Sequence, residues 1–169
     1  MRLAGWTAVF LILIDATAAS ILPPKAWAQD APDPARAARA PVEAFWAEVW
    51  NRGQIDAIDR LMSEDFVIHS AGRTIGPRDA FKAWVASFFD NISGLSLDVQ
   101  DIMTDGRTVV TRWRCTGTLT GTMFGIEGTG QPIQFTGINI MTVEDGRITE
   151  AWVERDALGL LHRLEGGPD

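Results

Sequence analysis

Residues 137–164, GINIMTVEDGRITEAWVERDALGLLHRL, decide how this chain folds. They read as strand, two-residue turn, strand and short helix. Asp145-Gly146 makes the turn, because a type I′ hairpin needs positive φ at both central residues. Pairing outward from it sets Val143 against Ile148, Met141 against Glu150 and Asn139 against Trp152. Directly opposed residues share a face of a sheet. One face then carries Asn139, Met141, Glu150, Trp152 and, at the strand end, Asp156. An amide, two carboxylates and an indole among apolar groups suit a pocket wall. The other face carries Ile138, Ile140, Ala151 and Val153, an apolar packing surface.

Upstream, residues 95–103 and 108–118 flank a second Asp-Gly pair, Asp105-Gly106, and form another hairpin. Val109, Thr111, Trp113 and Cys115 share one face there. Residues 117–131 hold five glycines and read as a long connection. Before these strands the pattern is helical. Pro41 suits a first helical turn, and Val42, Phe45, Trp46, Val49 and Trp50 then form one broad apolar stripe. Gly53 caps that helix. A short helix carries Ile55, Ile58, Leu61 and Met62, and residues 66–69 form a short strand. Pro77 opens a third helix, with Phe81, Trp84, Val85, Phe88 and Phe89 as its stripe. Helices first and a meander of strands afterwards indicate an α+β fold, with three N-terminal helices packed on one face of a bent antiparallel sheet.

The first 28 residues have the form of a secretory signal. Arg2 gives a basic start, residues 6–14 are an apolar run, and Ala26-Trp27-Ala28 is a small-x-small cleavage site. Residues 29–40, rich in Ala, Pro and charge, read as a solvated linker. Residues 41–166 are then one domain, long enough to bury a core. The expected location is periplasmic or secreted. The chain of 169 residues has a formal net charge of −7 and no basic block, which argues against nucleic acid and anionic membrane as partners. Its single cysteine, Cys115, cannot close an intrachain disulfide. Two histidines and one cysteine give no metal-ligand spacing, so no metal is expected.

The order of pieces resembles the SnoaL-like polyketide cyclase or ester cyclase family, within the nuclear transport factor 2-like superfamily. Asp65-Phe66-Val67-Ile68-His69 is similar to the family's first strand. Residues 117–125 and 128–133 resemble its glycine-rich crossover. Residues 145–152, Asp156 and Leu158-Gly159-Leu160-Leu161 resemble its C-terminal signature. The resemblance implies a cone-shaped, barrel-like sheet wrapped by three helices around one pocket. It also implies a homodimer through the outer face of the sheet. Family cyclases close rings by aldol chemistry without a cofactor, using a pocket aspartate as general acid/base, and Asp156 matches that position.

Each candidate residue carries two readings. Asp156 is either a desolvated acid that moves a proton or a helix cap accepting the amide of Leu158 or Gly159. His69 is an acid/base partner or a solvated strand-end side chain. Asn139, disfavoured in mid-strand, holds a substrate carbonyl or pairs with Glu150 or a water. Glu150 is a second pocket carboxylate or the ion partner of Arg112 or Arg114. Trp152 and Trp113 give apolar contact to a flat ligand or belong to the core, as do Trp46, Trp50 and Trp84. The expected function is a cofactor-independent enzyme acting on a small, largely apolar, carbonyl-containing molecule. A non-catalytic exported binding module is the reading from another class. In a third, the pocket is only a folding core and the sheet an oligomer interface.

Overall fold

The computed structural model describes residues 33–166. The signal reading of residues 1–28, and the start of the linker, lie outside them. The rest of the linker is helical. Helix α1 (Pro34–Ala44) begins seven residues before Pro41, with the Asp33 carboxylate accepting the Ala35 amide at 3.1 Å. The reason is compositional: the run PARAARAP is rich in alanine, the strongest helix former, and Ala38 and Val42 give it a side to bury. Pro41 sits inside the helix instead of opening it.

From Phe45 to Trp50 the helix widens into a π turn, closed by the Asn51 amide reaching back to Trp46 O. This turn buries Phe45, Trp46, Val49 and Trp50 together. A short 3₁₀ turn (Ile55–Ala57) leads into α2 (Ile58–Leu61), strand β1 (Met62–Ser70) and strand β2 (Arg73–Ile75). Helix α3 (Arg78–Asn91) follows, with Phe81 and Val85 buried. The remaining elements are β3 (Ile92–Asp105), β4 (Thr108–Leu119), the small strands β5 (Thr122–Met123) and β6 (Ile126–Glu127), β7 (Gln131–Glu144), β8 (Arg147–Arg155) and α4 (Ala157–Leu164).

Six strands form one bent sheet in the order β2-β1-β8-β7-β4-β3, while β5 and β6 pair separately. The sheet is open, with β2 and β3 at its edges. It is mixed where an antiparallel sheet was expected, because β1 lies parallel to β8. That pairing joins segments some eighty residues apart, and no local pattern announces it. Helices α1 to α3 cover the inner face, so the α+β architecture stands.

Asp145 and Gly146 have φ of 49° and 75°, so the turn of the β7–β8 hairpin is the expected one. In the β3–β4 hairpin the central residues are Gly106 and Arg107, since Asp105 pairs with Thr108. The register of β8 differs from expectation. Val143 does face Ile148, but Thr142 faces Glu150, leaving Thr149 as the extra residue of a β-bulge. Asn139 therefore faces Val153, and Ile140 faces Trp152. One extra residue reverses the alternation of a strand. Asn139, Met141, Ala151 and Val153 turn into the core, and Ile138, Ile140 and Trp152 turn out.

Candidate functional site

The space between the helices and the sheet contains an apolar cavity of about 30 Å³. The π turn supplies Phe45, Trp46 and Trp50; α3 supplies Phe81, Trp84 and Phe88; the sheet supplies Trp113, Cys115, Phe135, Asn139, Val153 and Arg155, among others. Beyond it lies an outer cleft of about 280 Å³, rimmed by Ala71, Met123, Phe124 and Ala157. Trp84, Phe88, Phe135 and Arg155 line both spaces. The barrier between them is thus made of side chains. The rim is anchored by Asn91 at the end of α3, whose Oδ1 accepts the Thr122 amide at 2.7 Å.

Few polar groups reach the inner cavity. The indole N–H of Trp113 donates to Asn139 Oδ1 at 2.6 Å. With its oxygen engaged, the Asn139 amide has its NH₂ end left for a ligand. An Nη of Arg155 donates to Ser70 Oγ at 2.6 Å. The same guanidinium lies 5.1 Å from the ring centre of Trp84 and 5.5 Å from that of Phe88, in the range of cation–π attraction. Burial pulls the Arg155 pKa down, and nearby Glu154 and Cys115 push it back up. Burial raises the Cys115 thiol to about 12, so it stays protonated at neutral pH. Among the described residues, no aspartate, glutamate or histidine lines this cavity.

The structure thus divides the expected site residues into three places. Asn139 and Trp113 are inside. Asp156 is at the edge, where it caps α4: its Oδ1 accepts the Gly159 amide at 2.9 Å, and Arg163 approaches its Oδ2 at 3.3 Å. Its side chain is 44% exposed and lines a groove between β4, β7 and α4, not the cavity. His69, Glu150 and Trp152 are together on the outer face of the sheet. His69 Nε2 is 3.0 Å from Glu150 Oε1, its Nδ1 is 2.9 Å from Thr74 Oγ1, and its ring stacks on Trp152 at 4.1 Å. Glu150 pairs with His69, while Arg112 and Arg114 take Asp101 and Asp98. The bulge explains this separation, since it turns Glu150 and Trp152 away from Asn139.

Arg155, which the sequence does not single out as a ligand-binding group, belongs to the cavity wall, and Trp46, Trp50 and Trp84, open between pocket and core, line it as well. The signal for Arg155 was its alternation with Val153, which points inward once the bulge is known. The indole N–H groups of Trp46 and Trp50 are buried and have no hydrogen-bond partner among the described residues. No cluster of three potential metal ligands occurs among those residues, and no helix among them is long and apolar enough to cross a membrane.

Residues 40–164 match the model of the SnoaL-like polyketide cyclase family. No curated protein matches the chain. Solved structures of similar fold include a protein assigned as a SnoaL-like polyketide cyclase from Jannaschia sp. CCS1, with TM-score 0.75 and 22% identity over 83% of this chain and 99% of that one. AclR from Streptomyces galilaeus, assigned as a hydroxylase, gives TM-score 0.71 and 25% identity over 79% of this chain and 99% of that one. IdmH from Streptomyces antibioticus, assigned as a polyketide cyclase, gives TM-score 0.67 and 26% identity over 76% and 98%. With its nuclear transport factor 2-like cone and a family match spanning nearly all of its described residues, the chain belongs to the SnoaL-like polyketide cyclase family.

Proposed function

We propose that this protein acts, without a cofactor, on a small, largely apolar molecule that carries a carbonyl group. The molecule's body occupies the outer cleft, and its oxygen-bearing end reaches the inner cavity. The volumes support this division: a cavity of about 30 Å³ has room for only a water or two, whereas the cleft is about 280 Å³. The observation that carries the reading is the Trp113–Asn139 pair. It engages the amide oxygen and leaves for a ligand the NH₂ donors of a residue that lines the cavity. Donors placed on a carbonyl oxygen stabilise the negative charge that develops there during ring closure, isomerisation or hydrolysis.

In this reading Asp156 is the general acid/base, as in the family's cyclases. It stands outside the cavity in the cap of α4, so to act it releases the Gly159 amide and turns toward the cleft. Asp156→Asn is expected to abolish turnover of a carbonyl substrate and to leave its binding nearly unchanged. Unchanged turnover would remove Asp156 from the mechanism. A second reading, a binding module without chemistry, is favoured by the engagement of Asp156 in its cap and by the lack of a carboxylate or imidazole on the described cavity wall. It expects ligand binding that is indifferent to Asp156→Asn and no product.

The outer face supports a further part of the proposal, a homodimer. Met103, Val110, Ile140, Trp152 and His69 form one row across five strands. Met103, Ile140 and Trp152 in that row are exposed, an apolar stripe that a second copy would cover. Export to the periplasm or medium, proposed from residues 1–28 alone, is tested by sequencing the N-terminus of the protein recovered from its host.

A further inference from the structure

We propose that the ligand of this site is an organic anion, a flat apolar body bearing one carboxylate, held through Arg155. This deepens the reading above and rests on it, since it names the chemical class that the cavity and cleft would take.

Arg155 lies between two aromatic faces and is hydrogen-bonded only to Ser70 Oγ; no carboxylate pairs with it among the described residues. Many other guanidinium groups have carboxylate partners, such as Arg39 with Glu43, Arg60 with Glu48, Arg107 with Glu144, Arg112 with Asp101 and Arg114 with Asp98. The others without one among the described residues, Arg36, Arg52, Arg73 and Arg147, are exposed to solvent. In a chain with an excess of acids, an arginine facing an apolar cavity without one is a site left for an external anion. An arginine keeps its charge even when buried, and it matches the two oxygens of a carboxylate with a planar fork.

The indoles make the second, independent observation. Trp46 is 4% exposed and Trp50 8%, both line the cavity, and neither Nε1–H has a partner among the described residues. A buried donor left unpaired is costly, and here two are held in place by one π turn. Short π segments inside α-helices occur frequently at functional sites. Asn139 adds donors as well, because Trp113 takes its oxygen. The wall therefore offers donors and a positive charge, while the one thiol, Cys115, is protonated at neutral pH. A ligand that only accepts, and is negative, complements that wall. An amine would meet a like charge, and an alcohol would bring a donor to a surface of donors.

The test compares 2-naphthoate with 2-naphthamide, the same body with and without the charge. Binding to the full-length protein is followed by calorimetry and by the indole N–H resonances of ¹⁵N-labelled protein. The expected result is at least tenfold tighter binding of the naphthoate, with the Trp46 and Trp50 indole resonances moving. Arg155→Gln should remove that preference, so that the variant binds the two probes with equal affinity. Arg155→Lys, which keeps the charge, should retain part of it. Equal affinity of the two probes for the wild type would overturn the anion and leave the pocket reading standing, without recourse to any variant. Binding of neither probe at millimolar concentration would overturn both.

Discussion

Trp113 reaches Asn139 diagonally across the β4–β7 ladder. Its direct partner on β7 is Gly137, and a Cβ built there would lie 2.3 Å from the indole Cζ2. The bare backbone at Gly137 is what lets the ring cross the strand and place its N–H on the amide oxygen two residues further on.

Breaking that pair from either side leaves a buried group unsatisfied. Asn139→Leu and Trp113→Phe are each expected to lower stability by ~1–3 kcal/mol. The double variant should cost less than the sum of the two, because both ends of the bond are then gone. Gly137→Ala should resemble Trp113→Phe, as it pushes the ring off its partner. Urea denaturation of the four proteins measures the coupling, and strict additivity would mean the bond contributes nothing.

The cap on α4 gives a second test. Asp156→Ala removes the acceptor for the Gly159 amide and should cost ~1 kcal/mol. Asp156→Asn keeps an oxygen in place and should cost a fraction of that. A Cβ at Gly159 would fall 2.2 Å from Asp156 Oδ2, so Gly159→Ala should displace the carboxylate and reproduce the loss. In the Asp156→Ala background Gly159→Ala should then be nearly silent. Thermal denaturation decides it; a full Gly159→Ala penalty in that background would mean the cap is not what the substitution disturbs.

Cys115 predicts an alkaline limit. Burial raises its thiol from 9.0 to about 12. The folded state holds this proton more tightly than the unfolded state does. The resulting stability is therefore complete below pH 9 and is lost as pH rises toward 12. Cys115→Ala has no such proton, so the stability difference between wild type and variant should shrink across that window. In the folded protein the thiol should resist a disulfide reagent at mildly alkaline pH, because the thiolate is the reactive form. Rapid labelling without denaturant would show that the thiol is neither buried nor protonated as described.

The outer row of the sheet is testable through its charge. Ile140→Lys places an ammonium in the middle of the Met103–Trp152 stripe, at an exposed position. The fold should be unaffected by circular dichroism, while sedimentation shifts from dimer to monomer. A wild-type chain that stays monomeric at high concentration would remove the interface.

Much of this architecture was legible because it rests on local rules. The stripes at Phe45–Trp50 and Phe81–Phe89 repeat at helical spacing, and Asp145-Gly146 supplies two positive φ values in a row. The site was less legible, for two reasons. Thr149 looks like any strand residue, yet as the extra residue of the bulge it decides which way Glu150, Trp152 and Arg155 point. The parallel contact of β1 with β8 forms across the whole domain, and it brings His69 beside Glu150 and Trp152 on the outer face, away from Asn139. The stretch before Pro41 is ambiguous by composition, since a run of alanine and arginine passes equally for a linker or a helix until Ala38 finds a surface to cover.

The bulge also bears on which changes of length β8 can survive. Thr149 is the spare residue: without it, Thr142 would still meet Glu150 and Ile140 would still meet Trp152, on a straighter strand. Loss of Val153 has no such remedy. Closing the bulge to absorb it would turn Ala151 outward and Glu150 inward, and leaving the bulge would send Arg155 to the wrong side. In related chains that differ by one residue in this strand, the gap should fall at the bulge.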